Sequence, residues 1–394
     1  MKRVLTILLA ILMTLSLFAC GQTKAPTPSE SASPSAPGAP AGEEPADTIE
    51  DISENENSIG FFSTGIDPFS RDRYKIVFIY PRTMQLMQNL TDVFTQWGEK
   101  LNYDLIAATG NGDIDAYIQQ IELYANQGVD GFILNFDVNS RFRIKEVLDE
   151  IGIPYMAMLN SVRDEEGHSI LPCVTMDGYA LGQEMMQWLY DNQEKYWGVK
   201  PDSSEVGYIG LTWSQNIDLH DRYTGSRAKF EELYPGNTNI FSSDGVVGSM
   251  DADTGYNMSA PIFSGNPQIK YWYVVGSLEM YAQGAARAAE DLKIDDKVMV
   301  TTVGSDILSA EWDSGYEGCF VSCVAVSNYL YCTPTISALI AIIEGKATHD
   351  SLWRSRRAEG DLGTIYFMPT KIVTKETYKA YFAEIQEAFE KSGT

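Results

Sequence analysis

From Tyr74 onward the chain alternates between two patterns: short runs rich in Val and Ile, and longer segments in which apolar residues recur every three or four positions. The first pattern suits strands buried on both faces, and the second suits helices with one apolar stripe. Strands are predicted at 75–80 (KIVFIY), 103–109 (YDLIAAT), 131–136 (GFILNF), 154–159 (PYMAML), 205–211 (EVGYIGL), 271–276 (YWYVVG), 298–304 (VMVTTVG) and 318–326 (GCFVSCVAV). Helices are predicted at 84–101, 113–127, 140–151, 178–196, 222–234, 253–264, 279–292 and 328–345. Regular alternation of this kind predicts right-handed crossovers and parallel sheets covered on both faces. About 320 residues exceed what one core usually holds. The expected fold class is therefore α/β, with two doubly wound parallel-sheet lobes.

In such folds ligands bind beyond the carboxyl ends of the strands. That rule selects the loops 81–85 (PRTMQ), 137–140 (DVNS), 159–161 (LNS), 212–222 (TWSQNIDLHDR), 277–279 (SLE), 305–306 (SD) and 327–329 (SNY). In the stretch VMVTTVGSDILSAEWDSG, the apolar run Val298 to Val303 ends in Gly304, Ser305 and Asp306, just before a predicted helix. A carboxylate there can cap the helix, or meet something arriving from solvent. The stretch 211–230 brings Trp213, Gln215, Asn216, Asp218, His220, Asp221 and Arg222 to one strand end. A flat ring can lie on the C–H face of a sugar, while amides, carboxylates and guanidinium groups bond its hydroxyls. An exposed loop with Arg222 in a structural ion pair would contain the same residues.

Other motifs point to capping rather than chemistry. TGNGDIDAY lacks a third glycine in register and no phosphate-binding G-x-x-x-x-G-K-[ST] occurs, so Asp113 is expected to cap a helix. DADTGYN begins like a calcium loop but has no glutamate at the twelfth position, so capping is expected there too. No G-x-S-x-G elbow is present. The three histidines, His168, His220 and His349, are far apart, and none of the five cysteines forms a C-x-x-C pair, so no metal site and no cofactor are expected. Cys319 and Cys323 on one strand are too distant to pair, and disulfides involving Cys173 or Cys332 stay open. With 29 basic against 54 acidic residues the net charge is −25, which repels nucleic acid and anionic headgroups.

At the N-terminus, Lys2 and Arg3 precede the apolar run Val4 to Phe18, about fifteen residues where a membrane span needs roughly twenty. It reads as a secretory signal, residues 1–19. The ending LFAC resembles the lipobox of bacterial lipoproteins, which implies cleavage before Cys20 and lipidation of that cysteine. Residues 21–60 contain much Pro, Ser, Ala and Gly and no aromatic residue. Such a segment buries too little to fold, so 20–70 is expected to be a tether from the membrane, with folding starting near Tyr74.

The ordered series QGVDGFILNFDVNS, IGIPYMAMLNS, VTMDGYALGQEMMQWL, HDRYTGSRAKFEEL, EMYAQGAARAAEDL and VGSDILSAEW resembles the type I periplasmic binding proteins of sugar transporters, over about Tyr74 to Phe367. The resemblance implies a clamshell: a first lobe of 71–174 plus about 327–352, a second of 175–326 plus about 353–394, and a hinge of several strand crossings. It implies that Asp306 accepts ligand hydroxyls from the second lobe and that Asn160 is a polar ligand position. His220 or Arg222 occupies the region of the family's ligand arginine. Arg82, Met84 and Gln85 are candidates at the first helix, where the run Met84 to Met87 departs from the family's polar and aromatic pattern. Glu279 stands beside Leu278, where asparagine is common, and Asn328 stands two residues after Val326, near the usual glutamine. Trp213 completes the set.

The function so implied is binding without turnover, as an extracytoplasmic, lipid-anchored and monomeric protein. It captures a sugar or sugar-like molecule between the lobes and delivers it to an ABC transporter permease. The alternative is a sensor whose closed form meets a membrane receptor or kinase.

Overall fold

The computed structural model describes residues 56–137 and 139–393. The proposed signal, Cys20 and most of the expected tether lie outside these residues. Among the described residues no helix is long and apolar enough to cross a membrane.

The first lobe begins β1 (Tyr74–Tyr80), α1 (Gln85–Leu101), β2 (Tyr103–Thr109), α2 (Ile114–Asn126), β3 (Gly131–Leu134), α3 (Arg141–Ile151), β4 (Tyr155–Met158) and β5 (Cys173–Thr175). Alternate residues of each central strand enter different cores, which explains the unbroken apolar runs. Ile76, Phe78 and Tyr80 of β1 join Leu90, Phe94 and Trp97 of α1 on one face. Val77 and Ile79 join Tyr117, Ile121, Ile144 and Leu148 of α2 and α3 on the other. Asp113 caps α2 as expected, its carboxylate accepting from the amides of Asp115 and Ala116.

The chain crosses after β5 into α4 (Gly178–Asp191) and α5 (Gln193–Trp197). It then builds β6 (Val206–Thr212), α6 (Ile217–Leu233), β7 (Ile240–Asp244), α7 (Ala252–Gly265), β8 (Tyr271–Gly276), α8 (Glu279–Asp291), β9 (Val298–Thr302), α9 (Asp306–Asp313) and β10 (Cys323–Ala325). These strands form a parallel sheet in the order β7-β6-β8-β9. Isolated bridges Val300–Phe320 and Val303–Val324 attach the segment of β10 to β9. Asp251 caps α7 through the amide of Thr254, as the sequence suggests.

A second crossing leads into α10 (Asn328–Ile343), which packs on α1 and on β3, β4 and β5 of the first lobe. Every residue from Leu330 to Ala341 is buried, so this helix is apolar all round. Next come β11 (Ile365–Phe367), β12 (Lys371–Val373) and α11 (Tyr378–Lys391). β11 pairs in parallel with β5 and completes the first sheet, ordered β11-β5-β4-β3-β1-β2. Residues 353–367, expected in the second lobe, therefore belong with the first: three residues of backbone pairing outweigh a weak sequence signal. The third crossing follows, since β12 pairs antiparallel with β10. Helix α11 touches both lobes. Tyr378 donates to Asp313 of α9 at 2.7 Å, and Phe389 packs edge-on against Trp97 of α1.

The folded domain also starts earlier than the sequence suggests. Ile59 and Phe62 are buried, Phe61 stacks on Trp97 at 5.1 Å, and Glu56 accepts from Trp353 and Arg356. Residues 56–70 are thus packed chain rather than tether, because the apolar residues near 60 find a surface on the first lobe. The four described cysteines are all free and buried.

One titration is built into this lobe. The His349 Nε2 lies 2.6 Å from the Tyr155 carbonyl, and burial holds its pKa below the ordinary histidine value. The unfolded chain then binds a proton that the folded one refuses, so stability is complete above about pH 6.5 and is lost as pH falls through the depressed value. Urea titrations should show this acid-side loss in the wild type and a smaller one in His349→Gln. Equal pH slopes for the two proteins would contradict it.

Candidate functional site

Segments that follow the carboxyl ends of strands in the two lobes meet at a narrow interlobe crevice, where direct hydrogen bonds join them. In the first lobe Asn160 follows β4, and its Nδ2 donates to Asn135 Oδ1 and to the Phe136 carbonyl, both at 2.9 Å. Its Oδ1 accepts from Asn216 Nδ2 of the second lobe at 3.1 Å. The neighbouring Ser161 gives its amide and hydroxyl to the Asp218 carboxylate at 3.1 and 3.0 Å. A second link joins the helices: Gln85 donates to Asn89 Oδ1 at 2.9 Å, and Asn89 Nδ2 reaches Asp306 Oδ2 at 3.4 Å.

The second-lobe wall depends on how closely α6 approaches α4. A Cβ on Gly182 would lie 2.2 Å from the Arg222 carbonyl, and one on Gly225 would lie 2.0 Å from that of Tyr179. Only glycine allows this backbone contact, which carries the start of α6 to the crevice. Helix α6 begins at Ile217, five residues before the expected start, with Asn216 as its cap. His220 and Arg222 are therefore helical and not part of a loop.

Arg222 Nη1 donates to the Ser277 carbonyl at 2.7 Å. Its Nε is sealed from solvent without a partner, and so is the Ser277 hydroxyl. Burial pushes the guanidinium pKa down, opposed by Tyr331 of α10 and by Asp218. Unpaired buried donors are costly, about 1–3 kcal/mol each. Two of them lie on one residue pair, where α6 meets the turn after β8. Asp221 nearby is raised by burial and by Asp218.

Asp306 opens α9 with a flank exposed to solvent, and desolvation raises its pKa above the ordinary aspartate value. It is not the cap of its helix. The Glu279 carboxylate, buried at the start of α8, accepts from the Leu308 amide at 2.8 Å and also meets the amides of Ile307 and Asp306. Glu279, expected to face ligand, is thus committed to backbone. Burial first, and the Asp306 charge after the amides' opposing pull, raise its pKa to about 7.

The remaining candidates are more dispersed. His220 Nδ1 pairs with Thr212 Oγ1 at 3.1 Å. Trp213, at the end of β6, is partly buried against the core. Asn328 begins α10 at the second crossing and is half-buried. Arg82 is exposed, with its guanidinium against Gly112, and Met84 is exposed at the start of α1. Asn89, Asn135, Ser161, Ser277 and Tyr331 were not singled out from sequence, although Ser161 and Ser277 stand in the selected strand-end loops.

Among the described residues one group could gather a cation: Asp164, Glu166 and His168, on the turn between Arg163 and Ser169. Asp164 Oδ1 already accepts the amides of Glu166 and His168. A cavity of about 480 Å³ lies beneath the N-terminal segment, lined by Phe61, Thr64, Arg71, Ser337 and Glu344, apart from the crevice.

Comparison with known proteins agrees with the two-lobed α/β fold. Residues 76–347 match the family model described as periplasmic binding protein domain. The chain is 25% identical over 239 residues, 59% of its length and 69% of the relative's, to the ABC transporter L-arabinose-binding periplasmic protein of Azospirillum brasilense. A periplasmic solute binding protein from Actinobacillus succinogenes, solved with bound D-allose, superposes with a TM-score of 0.61 at 15% identity, covering 78% of this chain and 100% of that one. A solute binding protein from Bacillus halodurans, solved with bound myo-inositol, gives 0.60 at 16% identity, covering 82% and 100%.

Proposed function

Since the chain belongs to the periplasmic binding protein domain family, we propose that it captures a small neutral polyhydroxylated molecule, a sugar or cyclic polyol, in the crevice between its lobes. It is a binding protein and not an enzyme. The observation that carries the ligand reading is the pair of buried, unpartnered donors, Arg222 Nε on α6 and the Ser277 hydroxyl just after β8. The surrounding carboxylates, Asp218, Asp221 and Asp306, favour a ligand rich in hydroxyl donors over an anion. The names of the relatives, with arabinose, allose and inositol among them, support the same class.

Closure is the response such a site would give: a ligand touching both walls is held by both only when they meet, so binding would shift the lobes toward the closed form. The closed form then delivers its cargo to an ABC transporter permease outside the cytoplasm, with the protein acting as a monomer and held to the membrane by lipid on Cys20. In an isothermal-titration panel of L-arabinose, D-allose, myo-inositol and glycerol, at least one should bind, and silence from all four would sink the reading. Asp306→Ala should abolish the ligand-induced rise in melting temperature while leaving the ligand-free value nearly unchanged. An unaltered ligand response would remove Asp306 from the site.

A further inference from the structure

We infer that Glu279 is a positioning residue for Asp306: from the start of α8 its carboxylate fixes the first turn of α9, and so the direction in which Asp306 enters the crevice. The inference rests on the crevice being the ligand site. Helix α9 needs this help because its own N-cap residue, Ser305, makes no side-chain cap. The Ser305 hydroxyl instead accepts from the Val326 amide at 3.3 Å, tying the turn to the second crossing. The amides at the start of α9 would otherwise stay unpaired beside a buried wall. Glu279 satisfies them from 29 positions away in sequence, with Oε1 on Leu308 at 2.8 Å.

The fit leaves little slack. Gly304 adopts φ +116°, and a Cβ there would lie 3.2 Å from Glu279 Oε2. Strand pairing between β8 and β9 brings Gly276 opposite Thr302, and Thr302 Oγ1 donates to the Gly276 carbonyl at 2.9 Å. The ends of the two strands are locked together, and Glu279 passes that fixed geometry on to Asp306. The titratable groups facing Glu279 are Asp306 from α9 and Cys323 from β10, whose thiol is buried. Burial lifts Glu279 from 4.5 to about 7. The folded state therefore gains stability from the protonated form. That gain is complete below pH 4.5 and lost as pH rises through about 7.

The test uses the mature chain, with L-arabinose and myo-inositol as probes. Hydrogen exchange at the amides of residues 306–308, measured without sugar, should accelerate about tenfold in Glu279→Ala and much less in Glu279→Gln, which retains an acceptor. Probe affinity should weaken about tenfold in Glu279→Ala. The wild type should lose stability between pH 4.5 and 7, and Glu279→Gln should lack that component. Unchanged exchange in Glu279→Ala would overturn the inference, as would faster exchange with unchanged affinity. If neither probe binds the wild type, D-allose and glycerol replace them; silence from all four is the failure of the sugar reading, and exchange and the pH profile then decide separately whether Glu279 holds α9.

Discussion

Gly182→Val is expected to destabilise the protein by about 3 kcal/mol, the upper end of the usual cost of overpacking, and to remove the response to ligand in whatever protein remains folded. The added Cβ would have to stand 2.2 Å from the Arg222 carbonyl and 2.6 Å from the Ser226 amide. Both are backbone atoms, so no side chain can rotate away. The helices must separate, and α6 carries Asn216, Asp218, His220 and Arg222 with it. Movement of Arg222 breaks its bond to the Ser277 carbonyl and displaces both unpaired donors. Gly265→Ala is the control: it lies at the end of α7 with nothing within 4 Å of an added Cβ, and should be neutral or stabilising by up to about 1 kcal/mol. Urea midpoints and ligand-dependent melting of both variants decide the matter. A wild-type midpoint for Gly182→Val would mean that the α4–α6 contact is looser than these distances state.

How far the sequence could be read depended on whether an element is marked by its own residues or by its neighbours. β1, β3 and β4 were legible because both of their faces are buried, which forces continuous apolar runs. β7 was not: its residues IFSSD are half-exposed at the edge of the second sheet. β5, β11 and β12 are three residues each and exist through pairing, which leaves almost no local pattern. Residues 318–326 read as one strand, yet only Cys323 to Ala325 pair as one. Helix α6 began earlier than predicted because its first turn exposes Ile217 and buries nothing, so no apolar stripe marks it.

For the site, the strand-end rule found the right loops but not the direction of side chains within them. Ser277 and Glu279 share one loop and differ in role: the serine hydroxyl is left unpaired next to Arg222, whereas the glutamate turns to α9. Asn89 lies one turn inside α1, beyond any strand-end loop, and only its position four residues after Gln85 hinted at a shared face.

Trp97→Ala should cost about 3–5 kcal/mol, the range for removing a large buried aromatic side chain. The indole is fully buried, stacked within 8° of parallel on Phe61 at 5.1 Å, and met edge-on by Phe389 at 5.0 Å. Its Nε1 donates to Thr333 Oγ1 at 3.1 Å within the buried helix α10. One side chain thus fastens four segments: the chain near residue 60, α1, α10 and α11. Trp97→Phe keeps most of the packing and loses the donor, so it should cost clearly less than the alanine variant. The alanine variant has a second expected effect. Helix α11 is held to the second lobe by Tyr378 and Lys379 on Asp313, and to the first by Phe389 and by Lys100 Nζ donating to the Glu390 and Ser392 carbonyls, so it spans the hinge. Loosening the Phe389 end should weaken one of several ties between the lobes, Ser161–Asp218 and Asn160–Asn216 being others, and raise the radius of gyration in small-angle scattering without ligand only slightly. Hydrogen exchange should rise first near residues 59–62 and 385–391. If the alanine variant were as stable as the wild type, or lost protection evenly across both lobes, the indole would not be the fastening point.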